Sequence, residues 1–234
     1  MRHMGSKERI AKYILPVMLS EREPGQWWVE PFVGRASIIS RVAGNRIGND
    51  INEYLIALLT AVRDGYIPPT NISKDEYYAI KKEPHKYPKE LVGFVGFACS
   101  FGGKWFGGYI SDSKGRNYAE EGSRSLVKLA KGLAGVVFKS GSYLDLEIPK
   151  SSLIYCDPPY ANVTEYEYSK SKNFDHDAFW EWCRIQAKKG HTVFVSEYSA
   201  PEDFVCVREI RHEIRLNNRN VLVPRVEKLF RYKG

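Results

Sequence analysis

Residues 157–160 read Asp-Pro-Pro-Tyr and follow the apolar run Leu153, Ile154, Tyr155, Cys156. The run is short and continuously apolar, the pattern of a strand covered on both faces. Neither Pro158 nor Pro159 can donate to a sheet ladder, and each restricts the residue before it, so the strand must end in a rigid corner. That corner holds the Asp157 carboxylate and the Pro158 carbonyl as two fixed acceptors beside the flat face of Tyr160. Two acceptors and an aromatic plate suit a planar ligand that carries an NH2 group. The competing reading is a strand-ending turn whose tyrosine packs in the core, and the tetrapeptide alone does not separate the two.

Two earlier strand ends carry polar groups as well. Glu30, Pro31 and Phe32 close the first apolar run, with Gly34 in the turn that follows. In open α/β sheets ligands bind at the carboxyl ends of strands, and a glycine lets backbone approach them. The next strand ends Gly48-Asn49-Asp50, and an acid at the end of the second strand is the usual partner of two ribose hydroxyls. No GxGxxG fingerprint is present, so an adenosyl ligand without phosphates fits better than a dinucleotide. Set against this, Glu30 could be a helix N-terminal charge and Asp50 the N-cap of a following helix.

These groups need a scaffold, and the pattern of the chain supplies one. Apolar runs alternate with helical stretches, as in an α/β fold with a mainly parallel sheet. Strands are expected over 26–32, 45–49, 136–140, 152–156 and 192–196, and an antiparallel hairpin over 204–214 and 227–232. Helices are expected over 6–19, 36–42, 53–64, 123–131 and 175–189. Between residues 65 and 122 the alternation lapses: prolines punctuate the first half, and Gly, Lys and aromatics crowd the second. An inserted subdomain is expected there, with 1–64 and 123–234 forming the main domain.

The segment FGGKWFGGY sets Lys104 among Phe101, Trp105, Phe106 and Tyr109, and Lys114, Arg116, Arg124 and Lys128 add charge nearby. Basic and aromatic groups on a pliable backbone suit phosphate contact and filling of a gap in a base stack. The same aromatics would equally serve as the insertion's small core, with its cations on a solvated face.

With 234 residues and a formal charge of +7, the chain can bury a full core and favours a polyanionic partner, nucleic acid before membrane. No apolar stretch is long enough to span a bilayer, and no signal-peptide core is evident, so a soluble, cytoplasmic protein is expected. The four cysteines and five histidines show no metal-ligand spacing, and no metal site or disulfide framework is expected.

In this order the motifs resemble those of the Dam-like, alpha-group DNA adenine-N6 methyltransferases, of the kind often carried by phages. MGSK (Met4 to Lys7) resembles the N-terminal cofactor motif, EPFVG (Glu30 to Gly34) motif I, and GND (Gly48 to Asp50) motif II. SGSYLDL (Ser140 to Leu146) resembles motif III and DPPY (Asp157 to Tyr160) the catalytic motif IV; SEY (Ser196 to Tyr198) and EKLF (Glu227 to Phe230) resemble later family elements.

The resemblance implies S-adenosylmethionine as methyl donor, a seven-stranded Rossmann-like sheet, and a target-recognition subdomain inserted between motifs II and III. By position it assigns Lys7, Glu30, Pro31, Phe32 and Gly34 to the methionine part of the cofactor, Asp50 to the ribose, and Ser142 or Tyr143 to the adenine. Asp157, Pro158, Pro159 and Tyr160 become catalytic, with Asp157 also beside the cofactor. Double-stranded DNA becomes the substrate, its adenine flipped out of the helix onto Tyr160. Lys104, Trp105, Phe106, Tyr109, Lys114, Arg116 and Arg124 are the candidate DNA-binding residues of the inserted segment. The polar stretch at 161–174 is a candidate cover for the target or an ordinary surface loop. One departure stands out: where the family pattern often has a second glycine, this chain has Ala36. Adenine in RNA, cytosine N4 in DNA, or a catalytically idle DNA-binding relative are the alternatives, and cytosine enzymes more often resemble SPPY than DPPY.

Overall fold

A computed structural model describes residues 7–111, 115–160, 174–216 and 221–233, the side chains of 212–225 excepted. Among them, seven strands form one sheet in the order β3-β2-β1-β4-β5-β7-β6. The strands are β1 (Trp28–Glu30), β2 (Arg46–Asp50), β3 (Val136–Ser140), β4 (Leu153–Cys156), β5 (Thr192–Glu197), β6 (Phe204–Leu216) and β7 (Val221–Tyr232). β2 runs parallel to β3, β1 to β4 and β4 to β5, whereas β7 is antiparallel to both β5 and β6. This is the mostly parallel, Rossmann-like α/β sheet expected from the sequence. Helices α1 (Ala11–Ser20), α2 (Glu53–Arg63), α3 (Lys74–Lys82), α4 (Lys89–Ala98), α5 (Tyr118–Ala130) and α6 (His176–Lys188) connect it.

The chain divides into two compact units. The first takes in Lys7, Glu8 and Val33–Leu146, and so holds β2, β3 and the helices α2 to α5. Its core includes Leu55, Leu58, Leu59, Phe94 and Leu126. Arg46 is buried and donates to the carbonyls of Gly44, Ile39, Gly132 and Ala134, so a charge at the start of β2 is fully engaged by backbone acceptors. The second unit takes in Arg9–Phe32 and Glu147 onward. In it the four residues of β4 are all buried, as their unbroken apolar run requires, and Phe179, Trp182, Cys183 and Gln186 are buried on α6.

Several expected boundaries move, each for a local reason. The helix expected over 36–42 is only a 3-10 turn at Ile39–Arg41, because Ala36 sits at a φ of 60°, outside the right-handed region. The first helix divides into a 3-10 turn at Lys7–Arg9 and α1. The helix expected from Ser123 begins at Tyr118, because Asn117 caps it by accepting from the Glu120 N–H. The lapse after residue 65 holds helices rather than strands. α3 starts on a reciprocal capping box between Ser73 and Glu76, the S-x-x-E signal that marks a helix start. α4 carries Gly93 and Gly96 in its middle, and those glycines hid it from a propensity-based reading.

Candidate functional site

In the first unit the candidate residues gather around Asp50, the last residue of β2. One carboxylate oxygen accepts from the Gly34 N–H at 3.1 Å and the other from the Asn52 N–H at 2.9 Å. Burial pushes the Asp50 carboxyl up, and backbone N–H groups of Asn52, Gly34 and Ile51 pull it back toward the charged form. The N-cap role lies with Asn52, whose side chain accepts from the Leu55 N–H at 3.0 Å. Asp50 is thus the anchor of the loop, and capping the helix is its neighbour's task.

That loop takes a left-handed backbone at two positions, Gly34 at φ 48° and Ala36 at φ 60°. The second glycine that the sequence lacks is therefore one its backbone would welcome. Beside it, the Asn49 side-chain amide donates to the Gly141 carbonyl at 3.0 Å and the Gly141 N–H to the Asp50 carbonyl at 3.1 Å. The turn that follows places Ser142 as the cap of a 3-10 helix, accepting from the Leu144 N–H, with Tyr143 the first residue of that helix. Gly34, Asp50, Ser142 and Tyr143 are thereby brought together. Asn49, quoted within GND but given no role from sequence, is buried here and joins the end of β2 to the turn after β3, a contact for which the sequence carries no signal. Lys7 is buried in this unit as well.

The second unit holds the acid and aromatic groups. Glu30 ends β1, is 3% exposed, and accepts from the Trp28 indole N–H at 2.8 Å. Pro31 is buried, and the Phe32 ring meets Phe174 and Phe179 edge-on at 5.8 and 5.7 Å. Asp157 is half-buried immediately after β4, followed by buried Pro158 and half-buried Pro159 and Tyr160. The Tyr160 ring packs edge-on against Tyr198 at 4.8 Å, which gives the SEY segment a contact. Behind it the Tyr155 hydroxyl pairs with the Ser196 hydroxyl at 2.9 Å.

Burial, then the charges of Asp157 and Glu227 and the neighbouring Tyr155, then Glu197, push the Tyr160 phenol well above its ordinary value. Burial, Asp157, Glu30 and Glu227 do the same to Tyr155, against the opposing pull of its Ser196 hydrogen bond. Cys156 and Cys183 are buried in the same core and free, and burial raises the Cys156 thiol, as befits packing rather than reactivity.

The aromatics at 101–109 are mostly occupied in packing within the first unit. Trp105 stacks on Tyr54 at 5.6 Å and lies 4.9 Å from Phe97, and Phe106 is buried against Tyr77. Tyr109 donates to the Ile72 carbonyl. Lys104 is half-buried, while Phe101 stands 66% exposed between these groups and two glycines. Arg116 and Arg124 are exposed and pair with Glu121 at 2.7 Å and Glu120 at 3.9 Å. Surface pairs of that kind are weak enough to be exchanged for another anion. Lys114, residues 161–173 and Met4 to Ser6 of the MGSK motif lie outside the described residues.

Among the described residues no His, Cys, Asp and Glu cluster is fit to hold a metal, and no helix is long and apolar enough to cross a membrane. No curated protein matches the chain. Two solved structures are similar over most of its length. Precorrin 8W decarboxylase of Methanobacterium thermoautotrophicum is 12% identical with a TM-score of 0.40, over 97% of this chain and 89% of that one. SMU.472, named as a methyltransferase and complexed with SAH, is 13% identical with a TM-score of 0.38, over 100% of this chain and 54% of that one. In sequence, residues 3–93 match the family described as D12 class N6 adenine-specific DNA methyltransferase.

Proposed function

We propose that the chain is an S-adenosylmethionine-dependent methyltransferase of the Dam-like, D12 class, which methylates adenine N6 in double-stranded DNA after flipping the base out of the helix. The family match spans Lys7, Glu30 to Gly34 and Asp50. The observation that carries the reading is the corner at Asp157 to Tyr160, which follows directly on the buried strand β4 and sets its tyrosine ring against Tyr198. A carboxylate at such a corner suits an amino group that becomes cationic as it reacts.

The residues present fit the donor. Asp50, held by backbone N–H groups, is the acceptor assigned to the ribose hydroxyls, and the left-handed turn at Gly34 brings backbone close without a side chain in the way. Ser142 and Tyr143 are assigned to the adenine end and Lys7, Glu30, Pro31 and Phe32 to the methionine end. When bound, S-adenosylmethionine supplies an electrophilic methyl group.

Adenine N6 is a poor nucleophile because its lone pair is delocalised into the ring. Asp157 and the Pro158 carbonyl each accept one N6–H, which draws the nitrogen toward tetrahedral geometry and aims its lone pair. A methyl group supplied by bound S-adenosylmethionine would leave positive charge on that nitrogen, which the Asp157 carboxylate would stabilise in the transition state. The excess proton leaves through Asp157 or water. Tyr160 receives the flipped base by stacking, worth about 1–3 kcal/mol by analogy with single-strand platforms, against an unstacking cost of a few kcal/mol. Residues 65–122 form the target-recognition subdomain, with Lys104, Arg116 and Arg124 on phosphates and the loop around Trp105, Phe106 and Tyr109 supporting the contact.

Two variants separate the roles. Asp157→Ala is expected to abolish methyl transfer while cofactor binding, followed by calorimetry, remains within severalfold. Asp50→Ala is expected to weaken cofactor binding at least tenfold. Retained turnover in the first, or unchanged cofactor affinity in the second, contradicts the corresponding assignment.

A further inference from the structure

The hairpin of β6 and β7 is much longer than the sheet it joins. β7 pairs with β5 only from Phe194↔Arg231 to Glu197↔Lys228. Beyond that point β6 and β7 continue through seven cross-strand pairs, from Ile210↔Glu227 to Leu216↔Val221, with no third strand among the described residues. At about 3.4 Å per residue this is a two-stranded arm on the order of 24 Å long. A register shift between Cys206 and Arg208 marks a bulge at its base, a feature that raises twist and turns a ribbon out of the sheet.

The direction of the arm follows from the registers. Asp157 comes directly after Cys156, which pairs with Val195 of β5, and β5 ends two residues later at Glu197. The arm leaves the sheet past Glu197, at the carboxyl ends of β4 and β5, on the Asp157 side. Pro224 lies opposite Glu213 in the arm. Proline is tolerated in a strand whose outer edge has no ladder to complete, which agrees with the lack of a further strand beside β7 there among the described residues. Arg211 is exposed and paired only weakly, with Glu209 at 3.0 Å, and Arg215 and Arg225 occupy register positions farther out, opposite Leu222 and His212.

We propose that this arm is a second contact for duplex DNA, a β-ribbon that enters the major groove beside the target base. It rests on the methyltransferase reading for its partner. The major groove, about 12 Å wide, admits a two-stranded ribbon, and arginine suits both phosphates and guanine edges. The arm stands on the edge where the substrate must arrive and carries arginines along its length, on a chain of formal charge +7.

The test is equilibrium binding of a 20–30 base-pair duplex (length on the order of a bound site) across a salt series, with the full chain and the triple variant R211Q/R215Q/R225Q. The expected result is a loss of affinity of tenfold or more, and a slope of log K against log salt reduced by about 2–3. Cofactor affinity should not change, and the triple lysine variant should keep most of the slope. K188Q/K233Q, at the opposite end of β5 and β7, should bind as the parent does. Unchanged duplex binding and slope in the arginine variant overturns the proposal, as does a loss confined to RNA. Self-association of that variant with normal duplex binding assigns the charges to protection of an edge strand and overturns it too. A parent chain that neither binds nor methylates a duplex refutes the methyltransferase reading and the arm together; normal methylation with an indifferent arm refutes the arm alone.

Discussion

Ala36 shows most sharply how a single residue can strain a loop without breaking it. An L-residue in the left-handed region costs roughly 1–2 kcal/mol, and Ala36 is fully buried there at φ 60°. Glycine would relieve that cost while losing about 0.5–1 kcal/mol of unfolded-state entropy. Ala36→Gly is therefore expected to leave unfolding free energy unchanged or raise it by up to about 1 kcal/mol, measured by urea titration. A loss of about 1 kcal/mol would show that the loop is not left-handed at this position. The sequence identified Gly34, Asp50 and Asp157 because each residue type is unusual where a strand ends. It could not identify Asn49, whose role is a hydrogen bond to Gly141 across the ladder between β2 and β3, a contact that no local pattern encodes.

At the scale of elements, α4 exists through close approach. A Cβ on Gly93 would stand 2.2 Å from the Tyr54 carbonyl oxygen and 3.1 Å from the Leu58 Cβ, both on α2. Backbone cannot yield as a flexible side chain can, so Gly93→Ala is expected to destabilise the protein by about 1–3 kcal/mol, outweighing the gain of about 0.5–1 kcal/mol in helix propensity. A stabilised variant in thermal unfolding would contradict the packing of α2 on α4. The sequence showed two glycines in an apolar run, and nothing in the run says that a neighbouring helix lies against them. Pro224 likewise hid the outer part of β7, because a proline ends a strand unless its edge is vacant.

The joint between β4 and β5 carries a pH dependence. The Ser152 N–H donates to His191 Nδ1 at 3.0 Å, which requires that nitrogen to be unprotonated. Burial, then the charge of Lys189, lowers the His191 pKa below its ordinary value of 6.5. A lowered folded value means that the neutral ring's contribution is complete above about pH 6.5 and is lost as pH falls through the folded pKa. Urea unfolding from pH 7.5 downward should show this loss in the parent and a flatter profile in His191→Gln. Identical profiles would place the pH dependence elsewhere.

For the whole molecule, the mainly parallel sheet was legible because parallel α/β folds write their crossovers as alternating runs, and the chain places Glu30, Asp50, Ser142 and Asp157 at or just beyond the carboxyl ends of β1, β2, β3 and β4. The 65–122 segment was legible only as an interruption, since its order depends on aromatics such as Trp105 and Tyr77 meeting partners distant in sequence.

The most direct test of the central claim is methyl transfer from labelled S-adenosylmethionine to unmethylated duplex DNA, with RNA in parallel, followed by nucleoside mass spectrometry. N6-methyladenine in the DNA is the predicted result. Cofactor binding with label only in RNA or at cytosine N4, or with no transfer at all, would contradict the account.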